Sequence, residues 1–201
     1  LLNISNLYYA TGDIENAKRK ILEAKENFLL FINERNREIG LCTVYGNLGL
    51  FAQRQGDYKL AEDFFLKSLS KTEKLKNVEG VMYCYVELVS LFLNNKSQFY
   101  KSNEYFDKAK LLFNNVNKDP GIDENSLIQK YYGYLLLEYG EYHTSKKEFD
   151  TALNYLNEAK ELLADFPDEI HSVNSQISQF YLSIKDLNNA EKSAIENLND
   201  K

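Results

Sequence analysis

The stretch that decides the fold is YGNLGLFAQRQGDYKLAEDFF, residues 45–65, which places three glycines within a helix-forming sequence. Gly56 and Asp57 separate two apolar-periodic segments, at a point where a residue that tolerates positive φ can end a helix. Gly49 lies on the apolar stripe, where a small residue allows a neighbouring helix to approach closely. Gly46 has no such role and is expected to be a mildly destabilising helix glycine. The stretch therefore predicts two antiparallel helices joined by a tight turn.

The same pattern recurs along the chain. Turn residues at positions 12, 56, 97, 140 and 185 are spaced by 44, 41, 43 and 45 residues. A small residue precedes each turn: Ser5, Gly49, Ser90, Gly133 and Ser178. Another small residue follows each turn: Ala17, Ala61, Ser102, Ser145 and Ala190. Because further apolar residues follow at steps of three and four, each copy predicts one pair of packed helices.

The second copy resembles a tetratricopeptide repeat. The residues that carry the resemblance are Tyr45, Leu48, Gly49, Gly56, Asp57, Tyr58, Ala61, Phe65 and Ser68. They follow the family's order of a large apolar residue, a Leu-small pair, a Gly-Asp-aromatic turn, and then Ala, an aromatic and a small residue. The period is about ten residues longer than the usual 34, and the closing proline is missing. The resemblance implies an all-α, right-handed α-solenoid of about five antiparallel helix pairs, whose first helices line the concave face.

We expect one solenoid domain over residues 1–201, with repeats at approximately 1–36, 37–77, 78–118, 122–165 and 167–201. The predicted helix pairs are 1–10 with 14–34, 38–54 with 58–76, 79–94 with 99–115, 124–138 with 142–164, and 168–183 with 187–199. Pro167 suits the first turn of the ninth helix, and the breaker-rich segment 116–125 suits a loop. Because the chain begins on Leu1 inside a predicted helix, we expect it to be part of a longer protein.

Composition excludes several functional classes. The 30 acidic residues exceed the 24 basic ones, which argues against a nucleic-acid surface on this chain. No apolar run is long enough for a membrane span. Cys42 and Cys84 are too few for a disulfide framework, so we expect buried thiols in a reducing, cytoplasmic compartment.

Catalytic and metal-binding patterns are missing from the sequence. His143 and His171 are far apart, with no paired His or Cys at ligand spacing. No phosphate loop, nucleophile elbow or dinucleotide fingerprint occurs. The sequence therefore predicts a protein that is not an enzyme, with no catalytic residues, no metal and no cofactor.

The candidate binding residues are those that the helix geometry places on the predicted concave face. They are Asn6, Tyr9, Gln53, Arg54, Glu87, Asn94, Lys130, Tyr134, Glu138 and Gln179. The set is polar, mixed in charge and rich in amides, which can donate to and accept from a peptide backbone. Arg54 and Lys130 could bind a carboxylate. A solvated helix face with no ligand is the alternative interpretation of the same residues.

The repeat domains that bind chaperone C-termini resemble one another in a clamp of Lys, Asn, Asn, Lys and Arg. Asn6 and Asn47 fall at the two Asn places, but Leu2, Cys84 and Leu88 occupy the basic ones. Two amides without the cations do not make the clamp, so the chaperone-adaptor interpretation is rejected.

The function we predict is a non-enzymatic module that binds a peptide or protein segment in a concave polar groove. Long, proline-poor repeats also resemble those of bacterial peptide-pheromone receptors. That resemblance implies an alternative: the peptide-sensing part of a transcription regulator or signalling protein whose effector domain lies outside this chain. A second alternative is a structural solenoid that forms a homodimer.

Overall fold

The computed structural model describes residues 1–94, 98–116 and 125–199. Every regular element that it describes in these ranges is a helix, and the helices follow one another as antiparallel pairs. Their bounds are α1 Leu2–Ala10, α2 Ile14–Leu29, α3 Glu34–Arg54, α4 Tyr58–Lys74, α5 Val78–Asn94, α6 Phe99–Val116, α7 Asn125–Ser145, α8 Phe149–Leu162, α9 Pro167–Ser183 and α10 Leu187–Asn199. The predicted all-α fold is confirmed. The predicted turn at Ser97 and nearly all of the predicted loop 116–125 lie outside the described residues.

The chain forms two compact units, Leu1–Tyr105 and Phe106–Lys201, which are described separately below. In unit 1 the core lies where α3 packs against α4 and α5, around Phe65, Leu88 and Phe92. A second cluster in the same unit joins α2 to α3 through Ile21 and Phe51. Cys42 and Cys84 are both buried free thiols, and burial raises the pKa of each to about 11.

In unit 2 the core contains aromatic rings from α6, α7 and α8. The ring of Phe106 lies 4.1 Å from that of Tyr139 and 5.7 Å from that of Tyr155, measured between centroids. Leu135, Leu136 and Leu156 are fully buried in the same unit. These apolar side chains exclude water from the region where α7 and α8 pack.

The Gly-Asp turns form as the sequence predicts. Gly12 and Gly56 have φ of 84° and 80°. The amide of Gly56 donates to the carbonyl of Gln53 and that of Asp57 to the carbonyl of Ala52, each at 2.9 Å, which is the Schellman arrangement of a helix end. The carboxylate of Asp57 then accepts a bond of 3.0 Å from the backbone amide of Leu60 and caps the next helix.

The fourth turn is not where the sequence predicts it. Helix α7 continues through Gly140 to Ser145, and the chain turns at Lys147, which has φ of 63°. The same Schellman bonds occur here, from Lys147 to Thr144 and from Glu148 to His143, both at 3.0 Å. The predicted turn at Gly140 is wrong by seven residues. Seven residues are nearly two helical turns, so the displaced pattern still falls on the same helix face.

With the turn at Lys147, Gly140 and Ala152 take the places predicted for Gly133 and Ser145. Gly133 is also closely packed, since a Cβ there would lie 2.6 Å from Cγ of Leu163. Gly140 becomes the close-approach residue, since a Cβ placed there would lie 2.6 Å from Cδ2 of Leu156. Gly49 occupies the equivalent place in unit 1, where a Cβ would lie 2.4 Å from Cε1 of Phe65. Ala152 is fully buried, whereas Ser145, predicted at the helix contact, is exposed.

Serines at the equivalent places in other pairs make a polar contact instead. The hydroxyl of Ser5 donates to the carbonyl of Ala17 at 2.8 Å, and that of Ser178 donates to the carbonyl of Ala190 at 3.0 Å. Each bond joins the first helix of a pair to the second. A small residue seven positions before the turn therefore permits close packing whether it is glycine or serine.

One further boundary differs from its prediction. Helix α2 ends at Leu29, and α3 already begins at Glu34 because the side chain of Asn33 accepts a bond of 3.0 Å from the backbone amide of Asn36. An asparagine in this position is a strong helix-start signal that the periodicity did not reveal. Pro167, in contrast, stands in the first turn of α9 as predicted.

Candidate binding site

The predicted binding residues lie on the first helices of the pairs and divide between the two units. Asn6, Tyr9, Gln53, Arg54, Glu87 and Asn94 belong to unit 1. Lys130, Tyr134, Glu138 and Gln179 belong to unit 2. Each unit thus presents its own candidate face, which we call the unit 1 face and the unit 2 face.

Two amides meet on the unit 1 face. The Nδ2 atom of Asn47 on α3 donates to Oδ1 of Asn6 on α1 at 3.2 Å. This bond holds the two amides side by side between neighbouring first helices. Asn6 is exposed, so its amide group is accessible to a ligand.

Arg54 is already engaged within the protein. Its Nη1 atom donates to the carbonyl oxygen of Tyr9 at 2.7 Å, and its guanidinium lies 4.8 Å from the centroid of the Tyr9 ring. The Tyr9 ring in turn lies 5.2 Å from that of Phe51. Because a guanidinium carries five N–H donors, this geometry leaves donors of the exposed Arg54 for a carboxylate while fixing their position.

The remaining predicted residues of this face differ in their burial and hydrogen bonding. Gln53 is half-buried near the end of α3, and Asn94 bonds to its own helix, from Nδ2 to the carbonyl of Ser90 at 2.9 Å. Glu87 is half-buried on α5, where burial raises the pKa of its carboxyl to about 7, although a hydrogen bond from Tyr83 opposes the shift. Glu87 is therefore partly protonated near neutral pH.

Tyr83 also explains Gly46, for which the sequence offered no reason. A Cβ at Gly46 would lie 3.3 Å from Cε1 of Tyr83, so the missing side chain makes room for that ring between α3 and α5. Tyr83 thus contacts both α3 and the carboxyl of Glu87. Sequence reasoning missed this tyrosine because its position is not one of the repeated ones.

On the unit 2 face, Lys130 and Tyr134 converge on a carboxylate that was not predicted. The Nζ atom of Lys130 lies 2.6 Å from Oε1 of Glu169 on α9 and 5.6 Å from the centroid of the Phe166 ring. Hydrogen bonds from Lys130 and Tyr134 lower the pKa of Glu169, while burial raises that of Tyr134. The positive charge predicted to receive a ligand carboxylate is therefore neutralised by one within the protein.

Further along the same face is a pocket between α7, α8 and α9, with a volume of about 170 Å³. Its lining residues are Glu141, Thr144, Leu156, Gln176, Gln179 and Phe180. The exposed Gln179 was predicted as a binding residue, and Glu138 lies half-buried on α7 three residues before Glu141. Glu141 was missed because the misplaced turn at Gly140 put it in a turn rather than on the helix. Gln176 was missed because its residue type does not mark it as a buried acceptor.

Clusters of metal-binding side chains and membrane-spanning helices are both absent from the described residues. Within residues 1–94, 98–116 and 125–199, no group of three His, Cys, Asp or Glu side chains could hold a metal ion. No helix among those described is both long and apolar enough to cross a membrane.

Comparison with known proteins agrees with this architecture. Residues 43–70 match the sequence model of a tetratricopeptide repeat. This match makes the helix pair of residues 43–70 similar to one tetratricopeptide repeat. The matched segment contains the end of α3, the Gly56 turn and most of α4. None of the curated proteins matches the chain.

Two solved structures share the fold. BtubC (BKLC) from P. vanneervenii superposes with a TM-score of 0.70 at 16% identity, covering 98% of this chain and 76% of that one. The nearly identical TPR-like repeats of a protein described as a kinesin light chain from Podosopora anserina give 0.59 at 9% identity, covering 98% and 91%. At these identities the similarity concerns the helical repeat fold alone.

Proposed function

We propose that this chain is a non-enzymatic interaction module that binds a peptide or protein segment along the faces of its first helices. Repeats of the tetratricopeptide type generally mediate protein–protein interactions. The observation that carries the proposal is the pocket of the unit 2 face, which opens beside polar side chains of two neighbouring first helices.

The unit 1 face supports the same proposal in a different way. The Asn6–Asn47 pair and the Tyr9–Arg54 contact hold amide and guanidinium groups in fixed positions on exposed helix surface. Fixed donors lose less conformational entropy on binding than mobile ones do. A peptide backbone presents alternating donors and acceptors, which such groups can match irrespective of its sequence.

Selection from a random peptide library against the full chain tests this function. We expect selected peptides to bind saturably and to shift the NMR signals of first-helix residues such as Asn47, Arg54 and Gln179. Residues on the outer faces of second helices, such as Glu23 and Asp63, should not shift. Arg54→Ala should weaken a peptide that binds the unit 1 face, while Arg19→Ala on α2 serves as the charge-matched control.

Two outcomes would contradict the proposal. Selected peptides that shift only second-helix signals would place binding elsewhere, and failure to select any peptide would remove peptide binding altogether. A homodimer whose interface covers both faces would favour the structural alternative. If purified full-length protein carries a small bound peptide that controls an effector domain, the sensor alternative becomes the better description.

A further inference from the structure

The size of the unit 2 pocket limits what can occupy it. Its volume of about 170 Å³ lies below the range of roughly 300–1,000 Å³ that is typical of sites for whole small molecules. A single side chain of a bound peptide is therefore a better match than a complete metabolite. Gln179, an exposed residue of α9, is one of the residues that line the pocket.

The pocket has an apolar interior and polar groups that accept hydrogen bonds. Leu156 and Phe180, both buried, supply the apolar surface. Glu141 supplies a carboxylate, which only accepts when ionised. The Oε1 atom of Gln176 is buried and accepts no hydrogen bond from any described residue. The hydroxyl of Thr144 already donates to the carbonyl of Gly140 at 2.7 Å.

Of the six residues that line the pocket, Glu141 is the charged one, and its charge is negative. Glu138 precedes it by three residues on α7, and α9 carries no charged residue between Ser172 and Ile184. Lys147 and Lys185 lie at the turns that follow α7 and α9 and do not line the pocket. Lys130 is about 16 Å from Glu141 along α7, at about 1.5 Å per residue, and pairs with Glu169. The nearer Lys146 lies over the ring of Tyr142, at 5.3 Å from its centroid. The charged group in the lining of the pocket is therefore a hydrogen-bond acceptor with negative charge.

We propose that this pocket binds a basic side chain, a lysine or an arginine, of the partner peptide. These side chains have donors but no acceptors, which complements Glu141 and the buried Oε1 of Gln176. Their aliphatic stems pack against Leu156 and Phe180 while the charged end reaches Glu141. The inference rests on the proposed peptide-binding function and adds the chemistry that the partner must present at one position.

Four short peptides of otherwise identical glycine–serine sequence test the pocket. Their central residue is lysine, arginine, norleucine or glutamate, and each is titrated at millimolar concentration into the ¹⁵N-labelled full chain. We expect the lysine and arginine peptides to shift the side-chain amide signals of Gln176 and Gln179 saturably. The norleucine peptide, which keeps the stem but not the charge, should bind about tenfold more weakly. The glutamate peptide should cause no shift.

A conservative variant identifies the group that recognises the charge. Glu141→Gln should lower affinity for the lysine peptide about tenfold and leave the norleucine peptide unchanged. Glu161→Gln on the exposed surface of α8 is the matched control and should leave both affinities unchanged. Glu141 is exposed on α7, so its replacement should leave the thermal unfolding curve in place.

The outcomes separate this inference from the function on which it rests. If basic peptides shift neither glutamine, or if Glu141→Gln has no more effect than Glu161→Gln, the basic-side-chain proposal is wrong. Library peptides that bind the first-helix faces without a basic residue would overturn the pocket proposal and leave peptide binding intact. If neither library peptides nor basic peptides bind, both proposals fail together.

Discussion

The helix pair α3–α4 in unit 1 and the pair α7–α8 in unit 2 turn in the same way with different residues. The first uses Gly56 and a capping Asp57, and the second uses Lys147 and Glu148, whose side chain makes no capping bond to the helix. Both turns have a residue at positive φ and the same two Schellman bonds. The comparison teaches that a close-packed small residue before the turn is shared, whereas the turn residue itself can vary.

A second contrast concerns the carboxylates of the two faces. Glu87 on α5 has its pKa raised to about 7, chiefly by burial. Glu169 on α9 has its pKa lowered, chiefly by the hydrogen bond from Lys130 and next by that from Tyr134. Carboxylates on two first helices thus have pKa values shifted in opposite directions, depending on whether a cation lies within reach.

Phenylalanine substitutions at Ala152 and Ser145 distinguish the observed turn at Lys147 from the predicted turn at Gly140. Ala152 is fully buried where α8 packs, so Ala152→Phe should lower the free energy of unfolding by about 3 kcal/mol. Ser145→Phe should change it by less than about 0.5 kcal/mol, because Ser145 is exposed. Urea unfolding monitored by circular dichroism measures both. A larger loss for Ser145→Phe than for Ala152→Phe would restore the turn at Gly140.

Because the pKa of Glu87 is raised and that of Glu169 is lowered, we expect the two groups to make stability depend on pH in opposite directions. The raised pKa of Glu87 means that its contribution to stability is fully present below the unfolded-state pKa of about 4.5 and is lost as pH rises through about 7. Glu87→Gln should therefore raise the free energy of unfolding by about 2 kcal/mol at pH 8 and have little effect at pH 4. For Glu169, whose pKa is lowered, stability is present above the unfolded-state pKa and is lost as pH falls through the folded one.

Glu169→Gln is accordingly the matched comparison. It should destabilise the chain at pH 8, since Lys130 loses its partner, and have a smaller effect at low pH where Glu169 is protonated. Unfolding free energies at several pH values measure both variants. If the free energies of unfolding of the two variants depended on pH in the same way, the burial of Glu87 and the ion pair of Glu169 would not explain the difference between the two faces.

Much of the fold could be predicted because small and apolar residues recur at steps of three and four, which place them on one face of a helix. The turns at Gly12 and Gly56 followed from glycine's freedom to adopt positive φ. The fourth turn could not be located in the same way, because a displacement of seven residues returns to the same helix face and Gly140 resembled the turn glycines. The lysine at the true turn carries no such signal.

The candidate site was predicted less completely than the fold. Lys130, Tyr134 and Gln179 were selected from helix geometry, and all belong to the unit 2 face. The intramolecular partner of Lys130 and Tyr134, Glu169, could not be found from the sequence, because pairing between α7 and α9 depends on how neighbouring helix pairs stack. Gln176 was also missed, since a buried acceptor is defined by its surroundings and not by its residue type.

The smallest expected effect tests whether the two turns differ only in the residue at positive φ. Lys147 has φ of 63°, which a residue with a Cβ adopts at a cost, so Lys147→Gly should raise the free energy of unfolding by about 0.5–1 kcal/mol. Lys146→Gly is the control, because Lys146 precedes the positive-φ position and gains nothing from glycine. Thermal and urea unfolding of both variants measure the difference. If Lys147→Gly and Lys146→Gly destabilised the chain equally, the side chain of Lys147 would contribute more to stability than its backbone strain costs. The α7–α8 turn would then be stabilised differently from the turn at Gly56.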